Sequence, residues 1–204
     1  MSATTQWHRP DRSAQHCAKR SVRTVTTWLV ALVALGSLGP VTPAQAHAEA
    51  THVWSTGVVC VESHVGTEWD VRGALRRWNR LDGGPTFVLA DSCIDYDGTV
   101  TVSYQNSDSR YTGWSRWYWD ASGSLVHADV TVNALRIEAF ASEDQRCQRR
   151  HTMTHELGHV LGLRHYPRSH AGSVMSYLGW RLLCGGLSDH DGADYHELYP
   201  EPTS

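Results

Sequence analysis

His155-Glu156-Leu157-Gly158-His159-Val160-Leu161-Gly162-Leu163-Arg164-His165 constrains the fold more than any other stretch of the chain. On a helix, His155 and His159 lie one turn apart on one face, as two ligands of a single ion must. Glu156 then sits on a neighbouring face, where it can act on a metal-held water without being a ligand. Gly162 is where the helix can end in a left-handed turn, a backbone that glycine adopts at little cost. The chain reverses there, and His165 can bring a third imidazole. Three neutral nitrogens with an open fourth position predict a catalytic Zn2+ site formed by His155, His159 and His165, not a closed structural one. The simpler reading, an amphipathic helix with histidines facing solvent, explains neither Gly162 nor His165.

The pattern HExxHxxGxxH is similar to that of the metzincin zinc endopeptidases. Their second mark is a methionine turn downstream, and Ser173-Val174-Met175-Ser176-Tyr177 resembles it in order and distance. The resemblance is strongest over residues 142–204 and weaker back to about residue 52. Two further stretches look like the matrixin branch: a helix followed by Thr86-Phe87-Val88-Leu89-Ala90, and Leu187-Ser188-Asp189 with Asp191-Gly192 before a last helix ending in Leu198-Tyr199. The likeness implies an α+β, zincin-like domain with a small twisted mixed sheet, an active-site helix and a C-terminal helix.

A position inside a secreted protein fits the rest of the chain. Of its 204 residues, the first 46 resemble a signal peptide. Lys19, Arg20 and Arg23 form a basic region, Trp28 to Gly39 a short apolar one, and Pro43-Ala44-Gln45-Ala46 a small-x-small cleavage pattern. A dozen apolar residues fall short of the roughly 20 that span a bilayer, so no stable membrane association is expected. Residues 47–204 are then the catalytic domain. Setting aside residues 1–46 removes five of 18 basic residues and one of 21 acidic ones, leaving a net charge of −7. Nucleic acid, which wants a basic stripe, is excluded as a partner by that balance. The expected form is an extracellular monomer acting on protein or peptide substrates.

Four of the five cysteines remain outside the leader: Cys60, Cys93, Cys147 and Cys184. In an oxidising compartment they predict two disulfides, with three pairings open. Cys60–Cys93 and Cys147–Cys184 are favoured, the first joining two early strands and the second tying the active-site helix to the segment after Met175. No CxxC spacing supports a cysteine zinc site.

Local patterns place the remaining elements. A β-rich run over residues 52–62 predicts a first strand. Thr67 and Asp70 suggest a helix cap before Val71, Ala74, Leu75 and Trp78, and Asp82-Gly83-Gly84-Pro85 stops that helix. Residues 86–90 and 99–104 read as strands. Residues 106–120 read as loop-like and crowded with rings: Tyr111, Trp114, Trp117, Tyr118 and Trp119. A platform for sugar or peptide is one reading; rings covering the sheet from a twisted hairpin is preferred. Residues 125–133 alternate apolar and polar, and the resemblance makes them the candidate edge strand on which an extended substrate would pair. Ser142 with Gln145 predicts a capping box for a helix over 143–162, buried along Met153, Leu157, Val160 and Leu161. Ser188 with Asp191 predicts another, opening a helix over 193–199.

The chemistry follows from these parts. Zinc acidifies its water and polarises a scissile carbonyl, and Glu156 takes the proton and later gives it to the leaving amine. His151 extends the histidine stripe, but it lies two turns, about 12 Å, from His159 and is too far to share its ion. It reads as a neighbour of the site or an exposed residue. Met175 is expected as the apolar floor below the metal. By resemblance to astacins and serralysins, Tyr177 is a second catalytic candidate, stabilising the oxyanion; the matrixin likeness gives it no such role. The wall of the pocket past the cleaved bond is expected between His165 and Tyr177, including Tyr166, Pro167 and His170. Asp82, Asp91, Asp95, Asp97 and Asp120 read as turn carboxylates, with no second metal assigned. The alternative function is an extracellular aromatic-rich binding module with a structural zinc.

Overall fold

The computed structural model describes residues 52–166, 172–176 and 184–201. The leader expected over residues 1–46, together with Pro167, His170 and Tyr177, lies outside them.

Five strands form one sheet: β1 (Val58–Ser63), β2 (Thr86–Ala90), β3 (Gly98–Tyr104), β4 (Gly113–Trp119) and β5 (Leu125–Val132). Their order is β2-β1-β3-β5-β4, with β4 antiparallel to β5 and every other pair parallel. Among the described residues four α-helices accompany them: α1 (Val71–Trp78), α2 (Ala134–Glu138), α3 (Ser142–Val160) and α4 (Asp189–Leu198). The architecture is mixed α+β, as expected. Valines build the sheet because branched side chains suit a pleated, half-buried surface. Val59, Val61, Val100, Val102, Val130 and Val132 are buried. They join Ala74, Leu75 and Trp78 of α1 and Met153, Leu157 and Val160 of α3 in a single core. Among the described residues, no helix is long and apolar enough to cross a membrane.

The strand at the edge is not the one expected. β5, the alternating segment, lies between β3 and β4, whereas β4 closes the sheet. Alternation reports that one face is buried, and it carries no information about whether a strand has a neighbour on each side. The ring-rich run, read as loop-like with a twisted hairpin preferred, is an edge strand that forms a hairpin with β5.

Two caps also differ. Thr67, expected to cap the helix with Asp70, begins a 3-10 turn over Thr67–Trp69. Asp70 precedes α1 in a left-handed conformation with no side-chain cap bond. Its carboxylate instead accepts from Arg77 Nη2 at 2.9 Å and Arg150 Nε at 3.0 Å, joining α1 to α3. Burial alone would raise this carboxyl's pKa; the bonds from Arg77 and Arg150 outweigh it and hold the group below its ordinary value. Ser142 does not cap α3, and Gln145 Nε2 donates to the Phe140 carbonyl at 3.2 Å instead. At α4 the Ser188–Asp191 capping box forms as read, four residues earlier than the helix expected there.

Both favoured disulfides are present, Cys60–Cys93 and Cys147–Cys184, with Cα separations of 5.6 and 4.7 Å. Three indoles anchor α3 by donating to its carbonyls: Trp78 to Thr154 at 2.9 Å, Trp117 to His159 and Trp54 to Val160, both at 2.8 Å. Tyr199 adds its hydroxyl to Leu161 at 3.0 Å. The last carbonyls of a helix lack partners within it, and these donors from distant parts of the chain satisfy some of them.

Candidate metal centre

α3 carries His155 and His159 on the face turned toward β4, and it ends where the sequence indicates. Gly162 takes φ 95°, with Gly162 N–H donating to His159 and Leu163 N–H to Gly158, the paired bonds of a Schellman ending. The reversal brings His165 back beside the other two histidines. The three Nε2 atoms stand 3.0, 3.0 and 3.1 Å apart.

That convergence fits a metal ion. His155 Nδ1 lies 2.8 Å from the Val174 carbonyl and His159 Nδ1 2.7 Å from that of Leu163. A carbonyl only accepts, so in each ring Nδ1 carries the hydrogen and Nε2 presents a lone pair. Lone pairs crowded this closely repel unless a cation sits among them. Ligands about 2.0–2.1 Å from a tetrahedral centre are spaced about 3.3 Å apart, close to what is seen. Burial pushes His155 well below its ordinary pKa and His159 down to about 4, so both are neutral, as ligation requires. Among the described residues, this is the one group of three such side chains able to hold a metal ion.

Val174 owes its position to a buried carboxylate. Asp191, at the start of α4, accepts from Val174 N–H at 3.0 Å and from Ser188 N–H at 2.8 Å. It also accepts from the Ser173 hydroxyl. Met175 follows on the same turn, fully buried, and packs against Gly158. A side chain at Gly158 would meet the Met175 sulfur at 2.4 Å. Met175 thus lies against the helix at Gly158, between His155 and His159 in sequence.

Glu156 is buried, and its Oε2 accepts from the Ser115 hydroxyl at 2.8 Å. Burial lifts its carboxyl to about 8, against a smaller lowering from Ser115. A carboxyl poised near neutrality can both take and give a proton. His151 is not exposed: it is buried, its ring 5.6 Å from that of His155, and burial holds it at about 4. Tyr166 does not form a pocket wall. It turns into the interior, its hydroxyl donating to Asp194 and its backbone N–H to the Met175 carbonyl.

A cleft of about 910 Å³ runs over the histidines. α3 is its floor, and β4 is one wall, contributing Gly113, Ser115, Trp117 and Trp119. The Trp117 ring meets His159 edge-on at 6.2 Å, and Trp119 stacks on His52 at 4.5 Å. Some of the rings read as covering the sheet therefore line the site instead. Ser115 and Asp191 were not singled out for the site by sequence, and Trp117 entered only through the less favoured aromatic platform. For Ser115 the rings on both faces of β4 hide the period of two; for Asp191 the signal was only the capping box.

No family model matches the chain, and no curated protein does. Among solved structures, myroilysin is similar at 16% identity and a TM-score of 0.47, over 74% of this chain and 97% of that one. What the site can do follows from its own geometry.

Proposed function

We propose that the protein is a secreted zinc-dependent endopeptidase of metzincin type. The observation that carries the reading is the meeting of three hydrogen-bond-oriented imidazoles beside a buried carboxyl, in a long cleft walled by an edge strand. His155, His159 and His165 hold the ion, and three nitrogen donors with room for a fourth ligand suit zinc. Bound there, zinc supplies Lewis acidity, acidifying water and polarising a carbonyl.

The remaining work falls to the chain. β4 offers the unpaired backbone of an edge strand to an extended peptide, by strand addition. Trp117 and Trp119 cover the peptide with apolar surface. Glu156, held by Ser115, takes the proton of the attacking water and passes it to the departing amine. Its Oε1 has no protein partner among the described residues, leaving that oxygen for the reacting atoms. Tyr177, two residues after Met175, is a candidate for stabilising the oxyanion. The two disulfides suit an oxidising compartment.

The test is hydrolysis of casein and of a quenched peptide library, with metal content measured in parallel. Cleavage abolished by chelator and restored by Zn2+ is the expected result. Stoichiometric zinc with no cleavage of any substrate overturns the reading.

A further inference from the structure

One end of the cleft holds hydrogen-bond donors with nothing to donate to. Gln148 is 2% exposed, and its Nε2 has no partner. The Nε of Arg136 is likewise buried and unpaired. Both residues line the cleft. An amide NH2 and a guanidinium N–H donate and never accept, and buried donors are almost always paired. The Arg136 guanidinium lies 5.4 Å over the Phe140 ring, and no carboxylate pairs with it among the described residues. Of the described residues lining the cleft, Arg110, Arg136 and Arg164 are cationic, and Glu156 is the single carboxylate.

The direction of the cleft says which part of a peptide meets these donors. Gln148 precedes His155 by two turns of α3, about 10 Å along its axis. β4 runs beside α3 in the same sense: Gly113 lies against Thr152, Ser115 against Glu156 and Trp117 against His159. A peptide pairing antiparallel with the outer edge of β4 therefore enters at Trp119 and leaves past Gly113. Residues following the cleaved bond lie toward Gln148 and Arg136. An extended chain advances about 3.3 Å per residue, and the rest of the span is within reach of a long acidic side chain met by the arginine.

We propose that this end of the cleft is a specificity pocket for a carboxylate side chain, that of a glutamate or aspartate immediately following the cleaved bond, received by Arg136 and Gln148. The proposal rests on the peptidase reading above. A planar guanidinium lying over a ring, in the same cleft as a buried amide donor, offers two carboxylate oxygens the donors they need.

The experiment uses the full zinc-loaded chain and matched quenched peptides with amidated C-termini, so that the varied side chain is the only carboxylate. That residue is Glu, Gln, Leu or Lys. Expected is a kcat/KM for the Glu peptide about tenfold or more above that for Leu. Arg136→Glu should invert the order in favour of Lys, and Gln148→Leu should lower the Glu-to-Leu ratio. Binding of the same peptides, labelled and followed by fluorescence anisotropy, separates the two readings. Cleavage with no Glu preference, or with an order that Arg136→Glu leaves unchanged, overturns the pocket and leaves the peptidase standing. Preferential binding of the Glu peptide with no cleavage upholds the pocket and overturns the peptidase. Neither cleavage nor preferential binding overturns both.

Discussion

Ser115 donates its hydroxyl to Glu156 Oε2 at 2.8 Å, across the gap between the edge strand and the helix. The bond fixes one carboxyl oxygen and opposes the rise that burial imposes on the carboxyl. Ser115→Ala removes both effects. Turnover should fall about ten- to a hundredfold, the worth of one hydrogen bond to a charged group. The acid limb of the pH–rate profile should move to higher pH, because the carboxyl loses the partner that lowered its pKa. A profile displaced to lower pH, or not at all, contradicts the role.

Asp191 never touches the histidines, yet it orients one of them through Val174. Replacing it with alanine frees the turn whose carbonyl holds His155 Nδ1. Zinc affinity should drop about ten- to a hundredfold, as on loss of other groups that orient ligands. Competition with a chromophoric chelator measures this, and Asp191→Asn should fall between wild type and alanine. Unchanged affinity in the alanine variant rules out the relay.

The pH dependence of the metal-free protein has two opposing parts. Burial holds His151 and His159 at about 4 and His155 well below its ordinary value, against 6.5 when unfolded. The unfolded chain takes up protons there as pH falls and the fold does not, so stability is lost from about pH 6.5 downward. Glu156 acts the other way. Its carboxyl rises from 4.5 to about 8, so its contribution is full below pH 4.5 and disappears as pH climbs to about 8. Three histidines outweigh one carboxyl on the acid side. Chelator-treated protein should melt highest near pH 6.5, with lower melting temperatures on both sides by calorimetry. A melting temperature rising steadily into the alkaline range refutes this.

Gly158 leaves no room for a side chain: a Cβ would lie 2.4 Å from the Met175 sulfur and 2.9 Å from Trp78 Cζ2. Gly158→Ala should destabilise by about 1–3 kcal/mol, the ordinary penalty of overpacking. Adding Met175→Ala should cost less in that background than in the wild type, because the closer of the two clashes, that with the Met175 sulfur, is gone. A thermal double-mutant cycle reads the coupling, and simple additivity speaks against it.

The metal centre was legible because its geometry is local. Helical spacing puts His155 and His159 on one face, and Gly162 marks the reversal that returns His165. Ser188 with Asp191 was legible for the same reason, a short-range exchange of bonds. The position of β5 within the sheet was not, since alternation at Val126, Ala128, Val130 and Val132 says nothing of neighbours. β4 was hidden because rings occupy both its faces and mask the period of two. The short α2 escaped notice altogether. The partners of Asp70 and the environment of Gln148 depend on residues far away in sequence. No spacing rule foretells a polar side chain left unpaired in the interior.

Trp54 and Tyr199 stand 145 residues apart, yet both grip the final turn of α3, the turn that delivers His165. A chain emerging from the ribosome therefore passes its histidines before it possesses the hydroxyl that bonds Leu161 at the end of their helix. The turn that brings the three imidazoles together thus gains its last donor only when the final segment of the chain docks.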